Sequence, residues 1–143
     1  MSLVVADTGA LYALVDASDA WHHRVGQWWG GAGRGGRHGD PVVPVTVLPE
    51  LAYLLQTRIG PAAEVAFIRA VVDGEFTVEP LEPEDVERAA ELMERYSDLP
   101  LGFVDSTIVA LTERLETRDL LTTDRRHFGV VRPRHTKALG LHP

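Results

Sequence analysis

Short, continuously apolar runs alternate along this chain with longer segments of helical period, and that alternation restricts the fold to α/β winding around a mostly parallel sheet. The first run, Leu3-Val4-Val5-Ala6, contains no polar position, as a central strand buried on both faces requires. It stops at Asp7-Thr8. Either residue can cap a helix whose apolar side is Ala10, Leu11, Leu14 and Val15. The expected architecture is a single α/β domain over residues 1–143, with a central parallel sheet of four to five strands flanked by helices.

The rest of the chain extends the same pattern. A helix around Trp21 to Trp29 is expected to stop at Gly30, and the glycine-rich residues 30–40 form a flexible loop carrying Arg34, Arg37 and His38. Val42 to Val45 reads as a second strand, after which Thr46 caps a helix to about Arg58. Gly60-Pro61 breaks the pattern and restarts it as a helix to about Asp73, followed by a strand at Phe76-Thr77-Val78. Pro83 suits the first position of a helix ending near Tyr96, and along it Glu84, Asp85, Glu87, Glu91 and Glu94 read as a solvated face. Leu101, Val104, Ile108, Leu111 and Leu115 recur at spacings of three and four, which marks a helix. Leu120-Leu121 is a further strand and Val130-Val131 an edge strand. Residues 132–143, with Arg132, Arg134, His135 and Lys137, read as a short basic tail adding little to the core.

At 143 residues and 45% hydrophobic the chain is sized for one domain, and no apolar run approaches the roughly 18 residues that cross a bilayer. A formal charge of −7 is the wrong sign for gripping nucleic acid by bulk electrostatics. The absence of cysteine excludes disulfides, thiol nucleophiles, iron–sulfur clusters and cysteine-ligated zinc. The N-terminus carries neither a basic n-region nor a small-residue cleavage site, so a cytoplasmic protein without membrane attachment is expected.

Four acids stand in unusual positions. Asp7 and Asp124 each end an apolar strand, and in an open parallel sheet ligands bind at the carboxyl ends of the strands. Asp105 sits beside Val104 at the edge of an apolar helical stripe, and Glu50 lies between apolar neighbours on the helix after the second strand. A lone carboxylate in such a place costs several kcal/mol, by the usual order of magnitude, unless a cation or donors compensate. Capping or a salt bridge accounts for each acid taken singly. If the first and fourth strands are neighbours, however, all four converge, and their repulsion is relieved by hard divalent cations such as Mg²⁺ or Mn²⁺. Such a pocket suits phosphodiester hydrolysis, with one cation activating a water and another offsetting charge on the phosphate. No organic cofactor is implied. The six histidines show no ligand spacing and are assigned no metal.

The runs Val4-Val5-Ala6-Asp7-Thr8-Gly9-Ala10-Leu11, Val45-Thr46-Val47-Leu48-Pro49-Glu50-Leu51, Leu101-Gly102-Phe103-Val104-Asp105-Ser106 and Leu121-Thr122-Thr123-Asp124-Arg125-Arg126-His127-Phe128 resemble, in order and spacing, those of PIN-domain ribonucleases. More narrowly, they are similar to the VapC-type toxins of bacterial toxin–antitoxin pairs. The resemblance implies a metal-dependent endoribonuclease in which Asp7, Glu50, Asp105 and Asp124 surround Mg²⁺ or Mn²⁺. Within it, Asp7 and Asp105 are the direct ligands, and Thr8 and Thr123 orient carboxylates or a water. It further implies an RNA substrate, a cognate antitoxin that blocks the groove, and a homodimer. Arg34, Arg37, Arg125 and Arg126 are candidates for holding RNA phosphates. Trp21, Trp28 and Trp29 suit base stacking or, given their helical spacing, core or dimer contacts.

Competing chemistries leave different marks. Asp7-Thr8-Gly9 is also an aspartic-protease triplet, but that fold is almost all β, whereas here helical segments outnumber strands. An aspartyl phosphoryl-transfer enzyme would commonly place a second acid where Gly9 stands. A non-toxin nuclease and a catalytically silent binding module are the nearer alternatives, and the silent module would be expected to have lost part of the quartet.

Overall fold

The computed structural model describes residues 3–33 and 40–143. Its elements run in the order β1 (Leu3–Ala6), α1 (Thr8–Val15), α2 (His22–Gln27), a π-helical turn (Trp28–Gly33), β2 (Asp40–Pro44), α3 (Val47–Arg58) and α4 (Pro61–Val72), then β3 (Thr77–Glu79), α5 (Pro83–Arg95), α6 (Phe103–Arg114), β4 (Asp119–Leu121), α7 (Arg125–Phe128) and β5 (Gly140–His142). Five strands form one sheet in the order β3-β2-β1-β4-β5, and every pairing is parallel. The expected α/β architecture is therefore present. The chain moves outward from β1 through β2 to β3, then returns to place β4 on the other side of β1. The crevice between the carboxyl ends of β1 and β4 is thus the switch point at which open α/β sheets bind ligands.

β1 is central because it has nothing polar to expose: Val4, Val5 and Ala6 are fully buried. Its register pairs Val5 with Leu120 and Ala6 with Leu121, so β4 lies beside it as the convergence of the four acids requires. α6 is enclosed on every side, with Ser106 through Thr112 all buried. Its threonines are compatible with burial because their hydroxyls donate within the helix, Thr107 to the Val104 carbonyl and Thr112 to that of Val109, each at 2.6 Å. Thr107 Oγ1 also meets Thr46 Oγ1 at 2.8 Å, tying the start of α3 to the first turns of α6.

Several expectations are corrected. The edge strand is Gly140–His142, and Val130-Val131 is not a strand. A parallel neighbour of β4 needs a crossover of about a dozen residues or more, and residues 122–129 are too few whereas 122–139 suffice. The tail is consequently part of the core. Val131 and Leu139 are buried, the Arg132 backbone N–H donates to Tyr96 Oη at 2.9 Å, and His135 Nε2 meets the Thr117 carbonyl at 2.8 Å. Nor does Gly30 end the second helix, since the backbone passes into a π-helical turn through Gly33. Of the glycine-rich loop, residues 34–39, including Arg34, Arg37 and His38, lie outside the described residues.

Asp85 does not belong to a solvated face. It is 3% exposed and shares the buried stripe of α5 with Ala89 and Leu92, at spacings of four and three. There it accepts the Glu82 backbone N–H at 2.8 Å and Arg114 Nε of α6 at 3.0 Å. Thr46 makes no side-chain cap on α3, its hydroxyl being used by Thr107 instead. Trp28 is a core residue, and Trp29 packs on Phe76 with ring centroids 5.5 Å apart, so both serve packing.

Candidate metal centre

Each of the four acids stands in the first turn, or at the N-cap, of a different helix. Asp7 caps α1, Glu50 lies in the first turn of α3, Asp105 in that of α6, and Asp124 caps α7. Helix N-termini carry partial positive charge and unpaired N–H groups, so these are the positions where carboxylates are best tolerated.

Asp7 directly follows β1, and its backbone N–H continues the ladder to the Leu121 carbonyl at 3.0 Å. Only 4% of the residue is exposed. Oδ1 accepts the Ala10 N–H at 2.7 Å, and Oδ2 accepts the Thr122 hydroxyl. Burial, reinforced by the charges of Asp105 and Asp124, outweighs these hydrogen bonds and pushes the carboxyl up to about 7. Asp105, partly buried, is pushed up to about 6, first by burial and then by the charges of Asp124 and Glu50, with His127 acting in the opposite direction. Glu50 itself is exposed and stands at the rim.

Asp124 caps its short helix twice over. Oδ1 accepts the His127 backbone N–H at 2.9 Å, and Oδ2 meets His127 Nδ1 at 2.7 Å. One ring nitrogen of His127 and one carboxylate oxygen each from Asp105 and Asp124 lie within 4.8 Å of one another. His127 thus lies beside two of the four acids, a proximity that the spacing of the histidines in sequence does not show. A three-residue step from Asp124 inside one helical turn brings this ring to the site.

The hydroxyl that orients Asp7 belongs to Thr122, not to Thr123 or Thr8. The β1–β4 register sets Thr122 opposite Asp7, and its Oγ1 both donates to that carboxylate and accepts the Asp124 N–H at 2.8 Å, linking the two acids. Thr123 instead covers Gly9: a Cβ there would come within 2.8 Å of Thr123 Oγ1 and 3.8 Å of Asp7 Oδ1. Thr8 is buried, and its hydroxyl has no partner among the described residues. Arg125 and Arg126 are exposed on α7 beside Asp124, with Arg125 Nη2 donating to the Pro143 carbonyl.

The donor set is several carboxylate oxygens and one imidazole, with an unpartnered buried hydroxyl beside them and two carboxyls that resist ionising without a counter-charge. It fits a divalent cation bound through oxygen. Two surface depressions among the described residues, one along α4 around Val65, Ile68 and Val72 and one between α5 and α6 around Arg88 and Glu113, lie elsewhere.

Comparison with known proteins identifies relatives of this chain. The chain is 35% identical over 130 residues to ribonuclease VapC26 of Mycobacterium tuberculosis (strain ATCC 25618 / H37Rv), covering 91% of this chain and 93% of the relative. The crystal structure of Mycobacterium tuberculosis VapC20, described as a sarcin-ricin loop cleaving toxin, superposes with a TM-score of 0.76 at 25% identity, over 87% of this chain and 91% of that one. PAE2754 from Pyrobaculum aerophilum shares the fold, with a TM-score of 0.53 at 20% identity over 94% of this chain and 82% of its own. Residues 4–132 match the PIN domain, which extends from the middle of β1 past α7 and takes in all four acids. The chain belongs to the PIN-domain family.

Proposed function

We propose that this protein is the toxin of a toxin–antitoxin pair, a Mg²⁺- or Mn²⁺-dependent endoribonuclease acting at the crevice between β1 and β4. The observation that carries this reading is the convergence of Asp7, Asp105 and Asp124, with Glu50 at the rim, on the N-termini of four helices at the sheet's switch point. The similarity to a ribonuclease and to a toxin supports it.

Asp7 and Asp105 are the residues to hold the cation, since their burial makes them the carboxylates that gain most from a counter-charge. When bound, a divalent ion supplies an acidified water and offsets charge on the phosphate and the leaving oxygen. Thr122 holds Asp7 by its hydroxyl, so the carboxylate does not have to reorganise on binding. Asp124 and Glu50 complete the negative pocket, Glu50 from a position that water can bridge. Thr8 offers a buried hydroxyl for orienting such a water, while Thr123 acts by packing against α1. Arg126 and Arg125, exposed on α7 beside Asp124, are the candidates to hold RNA phosphate.

A cognate antitoxin, a homodimer and a cytoplasmic setting belong to the same reading. The exposed stripe Val65, Ile68 and Val72 on α4 is apolar surface of the kind a protein partner covers. No helix among the described residues is long and apolar enough to cross a membrane. Against the silent-module alternative stands the intact quartet.

The test is cleavage of RNA by the purified chain with Mg²⁺, with Mn²⁺ and with excess chelator, in wild type and Asp105→Asn. Cleavage is expected only with a metal and only in wild type. Equal cleavage in chelator refutes the metal mechanism, and no cleavage under any condition favours a binding module.

A further inference from the structure

Among the described residues, one titratable side chain besides the carboxylates stands in the cluster of Asp105 and Asp124, and the quartet leaves it without a role. His127 is the third residue of α7, its side chain only 24% exposed. Asp124 grips it at two points, through the ring at Nδ1 and through the backbone N–H, at 2.7 and 2.9 Å. Ring and carboxylate are therefore held as one unit.

A carboxylate facing Nδ1 favours the tautomer with its proton on that nitrogen, which leaves the lone pair on Nε2, the form of imidazole that binds cations. The ring also stands among candidate ligands: one of its nitrogens and one carboxylate oxygen each from Asp105 and Asp124 lie within 4.8 Å of one another. The other charged depression differs in kind. Between α5 and α6, Arg88 is paired with Glu113, Arg114 with Asp85, and Arg134 with Glu91, so each of its arginines already has a carboxylate.

We propose that His127 is a nitrogen ligand of the cation held by Asp105, that Asp124 fixes the ring for this task, and that the site therefore prefers Mn²⁺ to Mg²⁺. The proposal rests on the metal-dependent reading above and deepens it. The preference follows from ligand chemistry. Mg²⁺ takes oxygen ligands and keeps much of its water, whereas imidazole suits transition ions, so an all-carboxylate site discriminates little and a mixed one favours Mn²⁺.

The experiment uses the full chain loaded with Mn²⁺. Pulsed electron paramagnetic resonance reads nitrogen hyperfine modulation, and calorimetry measures the affinities of Mn²⁺ and Mg²⁺ in wild type, His127→Asn and His127→Gln. His127→Asn retains the backbone N–H that Asp124 accepts, so α7 keeps its cap. The expected result is nitrogen modulation in wild type that disappears in both variants, with Mn²⁺ affinity falling about tenfold and Mg²⁺ affinity changing much less. Bound Mn²⁺ without nitrogen modulation in wild type, or equal losses for both ions in the variants, overturns the proposal and leaves the metal-dependent nuclease standing. Failure of wild type to bind Mn²⁺ at all, with cleavage persisting in chelator, overturns that underlying reading as well. The wild-type spectrum decides the matter even if neither variant folds.

Discussion

Replacing Asp7 by asparagine should stabilise the metal-free protein above neutral pH while destroying cleavage. The sign follows from linkage. The Asp7 carboxyl is raised from an ordinary value of 3.8 to about 7 in the folded chain, so the unfolded chain ionises first as pH rises. Stability from this group is full below pH 4 and is lost progressively until the pH passes about 7. Integrating the two titrations gives a small loss at pH 4, about 3 kcal/mol at pH 6 and about 4 kcal/mol at pH 8. Asparagine carries no charge and escapes this loss. Its oxygen can accept the Ala10 N–H while its amide faces Thr122 Oγ1, which forfeits about 1 kcal/mol of charge-assisted hydrogen bonding. Asp7→Asn is therefore expected to be about 2–3 kcal/mol more stable than wild type at pH 8 in chelator, and nearly equal to it at pH 4. Urea titrations at both pH values, with unchanged m-values, measure this directly. Adding Mg²⁺ at pH 8 should raise the wild-type melting temperature more than that of the variant. A variant less stable than wild type at pH 8, or a difference that does not change with pH, would refute the account of Asp7 as a charge the fold carries for its cation.

Other substitutions probe the supports of the site. Thr122→Val removes the hydroxyl that serves both Asp7 and Asp124 and should cost about 1–3 kcal/mol and most of the cleavage activity, with Thr122→Ser retaining far more of both. Gly9→Ala would ordinarily favour a helix by up to about 1 kcal/mol, yet here the added methyl meets Thr123 Oγ1 at 2.8 Å, so thermal unfolding should show a loss that Gly9→Ala with Thr123→Ala recovers. Asp85→Asn, which removes one of the two carboxylates paired with Arg114 and leaves Glu79, should lower stability by about 1–3 kcal/mol without altering metal affinity.

The elements were legible where the cause is local. The apolar run Leu3–Ala6, the cap at Asp7, the proline at the start of α5 and the period of α6 each specify their element through contacts within a turn or two of chain. The four acids were legible for the same reason, Asp7 and Asp124 as the ends of apolar strands and Glu50 and Asp105 as carboxylates beside apolar neighbours. Asp85 was misread although its spacing from Ala89 and Leu92 marked the buried stripe, because the partner that makes its burial tolerable, Arg114, comes from another helix.

Local chemistry could place Asp7, Glu50, Asp105 and Asp124 at element ends but could not say which hydroxyl serves them. Successive strand residues face opposite sides, so only the pairing of Val5 with Leu120 and Ala6 with Leu121 decides that Thr122 rather than Thr123 meets Asp7. The edge strand depended on crossover length, and the entry of His127 depended on a turn so short that no periodicity announces it. By itself, then, the sequence determined the layered α/β fold, its central strand and the four acids, because these follow from period, capping and the cost of burying charge. Only the tertiary structure decided the fifth strand, the Thr122 link and the histidine beside the carboxylates, because those depend on strand register and on which distant segments come to lie side by side.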